Sequence, residues 1–296
     1  MKTQHNMSWT TAAQCNDVLG ESPVYLPDEE VLAWVDIGRA LWHRLDLKTS
    51  QVETHTFETA LTGFSPVQEG GFIGAFADGI AYFDAAGHRG PWLHQPELGR
   101  SDNRFNDAGT DPHGRFIAGS MNMAGQGEAG ALYQIKSSGT LTRIKSGIGI
   151  ANTIAFSPDG TTFYTADTAK GELAAYHYDP ETGEMGGKVS SFNPSSALPG
   201  APDGSTVDAE GYIWNARWGG SCIVRLAPDG STDRLIPLPV RNPTSCTFVG
   251  DSLFVTTSTW DFTDEDFAAE PLAGALLCLD VGVRGLHRPK FGETTL

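Results

Sequence analysis

Long hydrophobic runs are missing from this chain of 296 residues: no window approaches the roughly 18 apolar residues of a membrane span. The N-terminal stretch MKTQHNMSWTTAAQC also lacks the apolar core that a signal peptide needs. Cysteine is scarce, with Cys15, Cys222, Cys246 and Cys278 far apart and no Cys-x-x-Cys pair, which speaks against structural zinc and against a dithiol redox site. Basic residues are few, 20 against 36 acidic ones for a formal net charge of -16, and they are spread thinly. A face that binds phosphates needs clustered Lys and Arg, so no nucleic-acid partner is expected. No Gly-x-Ser-x-Gly elbow surrounds any serine, no His-x-His or His-Glu-x-x-His pair occurs, and no Gly-x-Gly-x-x-Gly follows a strand to open a helix. Serine-hydrolase, histidine-zinc and dinucleotide chemistry are thereby disfavoured. The expectation is a cytoplasmic protein with reduced thiols and no membrane partner. Without an obvious amphipathic helix, it is expected to be a monomer or weak dimer.

Turn-forming residues, by contrast, are plentiful: the chain has 35 Gly and 17 Pro without a Gly-X-Y period. Between the turns one unit recurs. Its second strand reads LAWVDI from Leu32, FIGAFA from Phe72, FIAGSM from Phe116, FYTADT from Phe163, YIWNAR from Tyr212 and LFVTTS from Leu253. The offsets are 40, 44, 47, 49 and 41 residues, the range in which blade and solenoid repeats fall. Each copy is followed by a turn and a further apolar strand, as in ALWHRLDL from Ala40, GIAYFD from Gly79 and GALLCLD from Gly274. Turn signals precede several copies, among them DPHG at Asp111 and DAEG at Asp208.

Three or four short strands per copy, with no helical period between them, predict an all-β, six-bladed β-propeller forming one domain over residues 1–296. The ring is expected to close through an outer strand of the last blade at residues 12–18, alongside residues 285–291. Residues 185–202 and 261–272 read as long rim loops.

In such a ring the first strand of each repeat lines a central channel, so polar residues at its front converge on one axis. They are Glu21 in LGESPVY, Asn106 in RFNDAGTD, Asn152 in GIANTIAF and Asp203 in GAPDGSTV, each expected just ahead of its strand. Two readings stay open on these residues alone. They are turn residues that bond backbone, or they are oxygen ligands gathered around a hard or borderline divalent ion such as calcium, magnesium, manganese or zinc.

The ordered set LGESPVY, VDI at Val35, RFND at Arg104, the DPxGR turn at Asp111, AGSM at Ala118, GALY at Gly130, Asn152 followed by AFSPDGTTFYTADT, and PDG at Pro202 resembles the regucalcin, gluconolactonase and sugar-lactonase family. The resemblance runs from Leu19 to about Asp280. It implies a propeller with one divalent cation in the channel (calcium, zinc, manganese, magnesium or iron), with Glu21, Asn152 and Asp203 as ligands. Asp203 would also act as the catalytic acid and base, and Arg104 and Asn106 would contact substrate. The implied activity is metal-dependent hydrolysis of a sugar lactone to its aldonic acid in carbohydrate catabolism. The chain departs from the family by carrying Asn122, Met123 and Ala124 where an acid follows the AGTM-like strand, which leaves the choice of sugar open. For Arg104 the alternative is a surface ion pair with Asp102 or Asp107. For the whole protein the alternatives are a non-catalytic calcium- or ligand-binding propeller and a phosphotriesterase-like hydrolase.

Overall fold

The computed structural model describes residues 8–192, 198–286 and 288–292. It contains six four-stranded antiparallel sheets arranged as the blades of a β-propeller. Blade 1 consists of Gly20–Leu26, Val31–Asp36, Leu41–Asp46 and Val52–Thr56. The inner strands of the next five blades are Leu61–Pro66, Asn103–Thr110, Ala151–Phe156, Ala201–Val207 and Pro243–Val249. Every second strand begins within one residue of its expected start, because each is an apolar run entered from a turn whose chemistry is explicit. In two of those turns an aspartate side chain holds the reversal: Asp111 Oδ1 accepts from the backbone N–H of His113 and Arg115, and Asp208 Oδ1 from those of Glu210 and Tyr212.

The core is divided among the seams between blades. Six apolar clusters of buried residues each join two neighbours around the ring. Between blades 1 and 2, Trp42 meets Phe64, Phe72 and Phe83 edge-on at 5.0–5.9 Å between ring centroids, an arrangement that suits the quadrupoles of the rings. Between blades 6 and 1, Leu276 and Phe254 pack with Leu32 and Trp34. A blade has apolar faces on both sides and cannot bury them alone, so closing the ring is what completes each seam.

Three boundaries differ from expectation. The closing strand is Thr10–Gln14, which pairs with Ala275–Asp280; residues 15–19 lead into blade 1 instead. Residues 285–286 and 288–291 form no blade strand and cross the channel mouth. Glu184–Phe192 is the outer strand of blade 4, where a rim loop is expected. Such outer strands have one wet face and little apolar alternation, which hides them from periodicity. Residues 193–197 lie outside the described set. The 261–272 loop does lie on a rim but carries a short helix, Asp264–Ala269, started by a capping box between Thr263 and Asp266. Among the described residues no helix is long and apolar enough to cross a membrane.

Candidate functional site at one mouth of the channel

The register between first and second strand slips in all six blades at the same level. The slips fall between Glu21 and Val24, Leu61 and Gly63, Phe105 and Ala108, Asn152 and Ala155, Pro202 and Ser205, and Pro243 and Ser245. A β-bulge inserts an extra residue and re-aims side chains. Glu21, Asn106, Asn152 and Asp203 therefore sit inside their inner strands at the bulges, not ahead of them. The expected Pro202-Asp203-Gly204 turn is such a bulge, since a broken alternation and a turn look alike in sequence. Two bulge residues pay in backbone strain, Ser22 at φ 47° and Thr153 at φ 61°. The left-handed region is costly for any residue with a Cβ, and most of all for a β-branched one. Gly204 answers a different demand: a Cβ there would lie 2.2 Å from Ser245 Oγ.

The structure brings the five named residues together. Arg104 Nη1 donates to Asn106 Oδ1 at 2.8 Å, Asn106 Nδ2 donates to Asn152 Oδ1 at 3.0 Å, and Asn152 Nδ2 donates to Thr168 Oγ1 at 2.8 Å. Thr168 Oγ1 then reaches Pro202 O, next to Asp203. This chain of bonds spans three blades and fixes which end of each amide faces the axis. Arg104 makes no ion pair with Asp102 or Asp107 among the described residues; it turns inward, where burial lowers its pKa and Glu21 and Asp203 offset only part of that cost.

Glu21 and Asp203 are buried acids. Burial pushes both well above the usual carboxylate range, and like charge adds to it: Asp203 and Asp107 act on Glu21, and Asp107 acts on Asp203. The compensation comes mainly from backbone N–H groups, Ser22 for Glu21 and Gly204 for Asp203, and from Arg104, with Arg217 also acting on Asp203. Two desolvated carboxylates beside an oriented amide oxygen form a donor set of hard oxygens. Its residual negative charge suits a divalent cation of the calcium, magnesium, manganese or zinc kind. The residues therefore fit the ion that the resemblance implies.

A sequence profile of the SMP-30/Gluconolactonase/LRE-like region matches residues 19–259. The chain belongs to this family. Among relatives, it is 36% identical to a pentonolactonase of Haloferax volcanii over 96% of this chain and 98% of the relative. It is 35% identical to a 6-deoxy-6-sulfogluconolactonase of Pseudomonas putida over 93% and 95% of the two chains. Among solved structures, regucalcin of Agrobacterium tumefaciens, described as a calcium-binding protein, superposes with a TM-score of 0.91 at 30% identity, covering 96% of this chain and 97% of that one. The family's fold is the six-bladed propeller found here.

Three charged residues at the axis were not anticipated. Asp107 shares the bulge with Asn106, and its Oδ1 accepts from the Ala108 N–H at 2.8 Å; its neighbour's position is the only signal the sequence holds. Arg217 comes from the second strand of blade 5, with Nε and Nη2 bonded to Pro199 O and Gly200 O. Arg288 arrives from the C-terminal segment. A different cluster, Cys15, Asp17 and His43, also brings ligating atoms within 4.8 Å of one another, but it lies at the closure seam. There Asp17 already bonds Trp34 Nε1 at 2.8 Å, Arg39 Nη2 at 3.1 Å and His43 Nε2 at 3.1 Å. Burial pushes the Cys15 thiol up to about 11, so this group acts as a structural network.

Proposed function

We propose that this protein hydrolyses a sugar lactone to its aldonic acid, with one divalent cation held by Glu21, Asn152 and Asp203. The single observation that carries the reading is the convergence of two buried, mutually repelling carboxylates, Glu21 and Asp203, with the Arg104–Asn106–Asn152 hydrogen-bonded chain. Storage of a cation needs Glu21, Asn152 and Asp203 but not Arg104 and Asn106. Relatives named as lactonases support the same choice of chemistry.

Lactone hydrolysis needs a water to attack the carbonyl carbon and a proton to reach the ring oxygen as the C–O bond breaks. When bound, a divalent cation supplies Lewis acidity to the carbonyl oxygen and can bring the pKa of water from about 15.7 toward 7 in the best zinc cases. With its charge compensated, Asp203 is ionised and takes the proton of the attacking water. Returned to the ring oxygen, that proton completes the opening to a hydroxy acid. General acid-base assistance of this kind is worth roughly a hundredfold to ten-thousandfold. Arg104 uses Nη1 on Phe105 O and Asn106 Oδ1, and the rest of its planar fork can hold a substrate oxygen or the charge developing on it. Asn106, fixed at both ends of its amide, keeps Arg104 and Asn152 in register.

The test is acid release from gluconolactone and from a pentonolactone in weak buffer, with chelator and after restoring each candidate cation. Cation-dependent release above background is expected; background rates under every condition would overturn the reading. The likeness to a calcium-binding regucalcin favours a second reading, a propeller that binds calcium without turnover. Calcium binding with no acid release from any lactone would select it.

A further inference from the structure

Thr153 is a β-branched residue held in the left-handed region, at φ 61°, inside the bulge of the blade 4 inner strand. A position of that kind is ordinarily given to glycine or asparagine, which bear the conformation at least cost. The hydroxyl explains the choice. Thr153 Oγ1 donates to Asp203 O of the neighbouring blade at 2.6 Å and lies 2.8 Å from Ser205 Oγ. All three residues are buried.

Each proton in this cluster has a direction. A carbonyl can only accept, so the Thr153 proton goes to Asp203 O and the Ser205 hydroxyl donates to Thr153 Oγ1. Asn215 Nδ2 donates to Ser205 Oγ at 2.9 Å and to Asp203 O at 3.0 Å, while Asn215 Oδ1 accepts from Arg217 Nη1 at 3.2 Å. A second strut leaves blade 4 beside the first: Thr168 Oγ1, which accepts from Asn152 Nδ2, donates to Pro202 O at 2.7 Å. The two peptide groups that flank the Cα of Asp203 are therefore both tied to blade 4, one through the side chain of Asn152 and the other through the residue that follows it.

We propose that Thr153 is a positioning residue: its hydroxyl, together with that of Thr168, sets the separation between Asn152 and Asp203 and so shapes the cation site. It acts through Asp203 and touches neither substrate nor cation. Glycine would relieve the backbone strain but has no hydroxyl to offer. The inference rests on the reading of Asn152 and Asp203 as ligands of one cation, and it does not require turnover of a lactone. Without the Thr153 hydroxyl, Asp203 O and Ser205 Oγ both keep their bonds from Asn215 Nδ2, so the fold should survive while the alignment suffers.

The experiment compares the full-length wild type with Thr153→Ser, Thr153→Gly and Thr153→Val. Calcium, magnesium, manganese and zinc are each titrated into chelator-stripped protein by calorimetry, melting is followed in chelator, and kcat and KM are measured on gluconolactone. Thr153→Gly is expected to melt within about 3 °C of the wild type, because relief of strain offsets the lost contacts. The same variant should bind the cation about tenfold more weakly and lose about tenfold in kcat, with KM within about threefold. Thr153→Val keeps the strain, so it should show the same losses at a lower melting temperature than Thr153→Gly. Thr153→Ser supplies the same donor and should hold affinity and kcat within about threefold of the wild type. Unchanged cation affinity in Thr153→Gly, a Thr153→Ser as impaired as Thr153→Gly, or losses that simply track melting temperature would reduce Thr153 to a structural tie and overturn the proposal. A wild type that binds none of the four cations would overturn it as well. If the wild type binds a cation but hydrolyses no lactone, the lactonase reading fails, while the affinities still decide whether Thr153 aligns the ligands.

Discussion

Blades 2 and 6 bulge at the same level as the other four but put threonine where the others put Glu21, Asn106, Asn152 and Asp203. Thr62 Oγ1 donates to Ala75 O at 3.0 Å, and Thr244 Oγ1 bonds Gly20 O and Thr256 Oγ1. Both hydroxyls are spent on neighbouring strands. At Glu21 and Asp203 the corresponding oxygens receive little beyond backbone N–H groups and stay electrostatically unsettled. The bulge thus belongs to the fold, and its chemistry belongs to the residue each blade places there. A repeat that must bend at one point can serve as mortar in some copies and, on the function proposed above, as a ligand in others.

The widest separation between the two sets of blades should appear in turnover. Asp203→Ala is expected to lower kcat/KM by roughly 1000-fold or more on any lactone the wild type accepts, whereas Thr62→Ala should stay within about threefold; kinetics near wild type for Asp203→Ala would erase the distinction. Next comes Arg104→Ala, with an expected loss of about 10- to 100-fold in kcat/KM and unchanged cation content by elemental analysis. Lost cation would make Arg104 part of the ion site instead.

The threonine blades should answer in stability. Urea denaturation of Thr62→Ala and Thr244→Ala should show losses of about 1–3 kcal/mol each, the range for a buried polar group left without its partner. Equal losses for Asn106→Ala and Asn152→Ala would show that all six bulges are equally structural.

The smallest effect is the dependence of stability on pH in chelator. Glu21 and Asp203 bind protons more tightly folded than unfolded, so their contribution is complete below about pH 4, where exposed carboxylates titrate. It is lost as pH rises through their raised native values. Melting temperatures from pH 4 upward should therefore fall more steeply for the wild type than for Asp203→Asn, and a bound divalent cation should flatten the wild-type curve. Parallel curves in chelator would mean that burial does not raise Asp203 in the folded protein.

Legibility from sequence followed the physics of each element. The second strands are apolar on both faces, as Leu32, Ala33, Trp34 and Val35 illustrate, and they announce themselves. The bulges do not, because an inserted residue breaks the alternation on which strand reading depends. Glu21, Asn106, Asn152 and Asp203 stand out as polar residues at equivalent points of a repeat, and the roles proposed for them come from the resemblance. Asp107 reads from sequence only as a candidate ion-pair partner of Arg104, since an acid beside an amide in a Gly-rich stretch is ordinary. Arg288 is unreadable in principle: it bonds the Ser205 carbonyl 83 positions away, through a segment that belongs to no repeat.

The order of residues alone determined the number of blades, the placement of their second strands and the identity of the oxygen-bearing side chains, because hydrophobic periodicity and turn chemistry act over a few residues. Only closure of the ring decided that these oxygens share one desolvated axis, that Thr10–Gln14 seals the last blade, and that a C-terminal segment brings Arg288 to the Ser205 carbonyl. Desolvation and Coulomb interaction depend on distance through space, and distance through space exists only after the chain has folded.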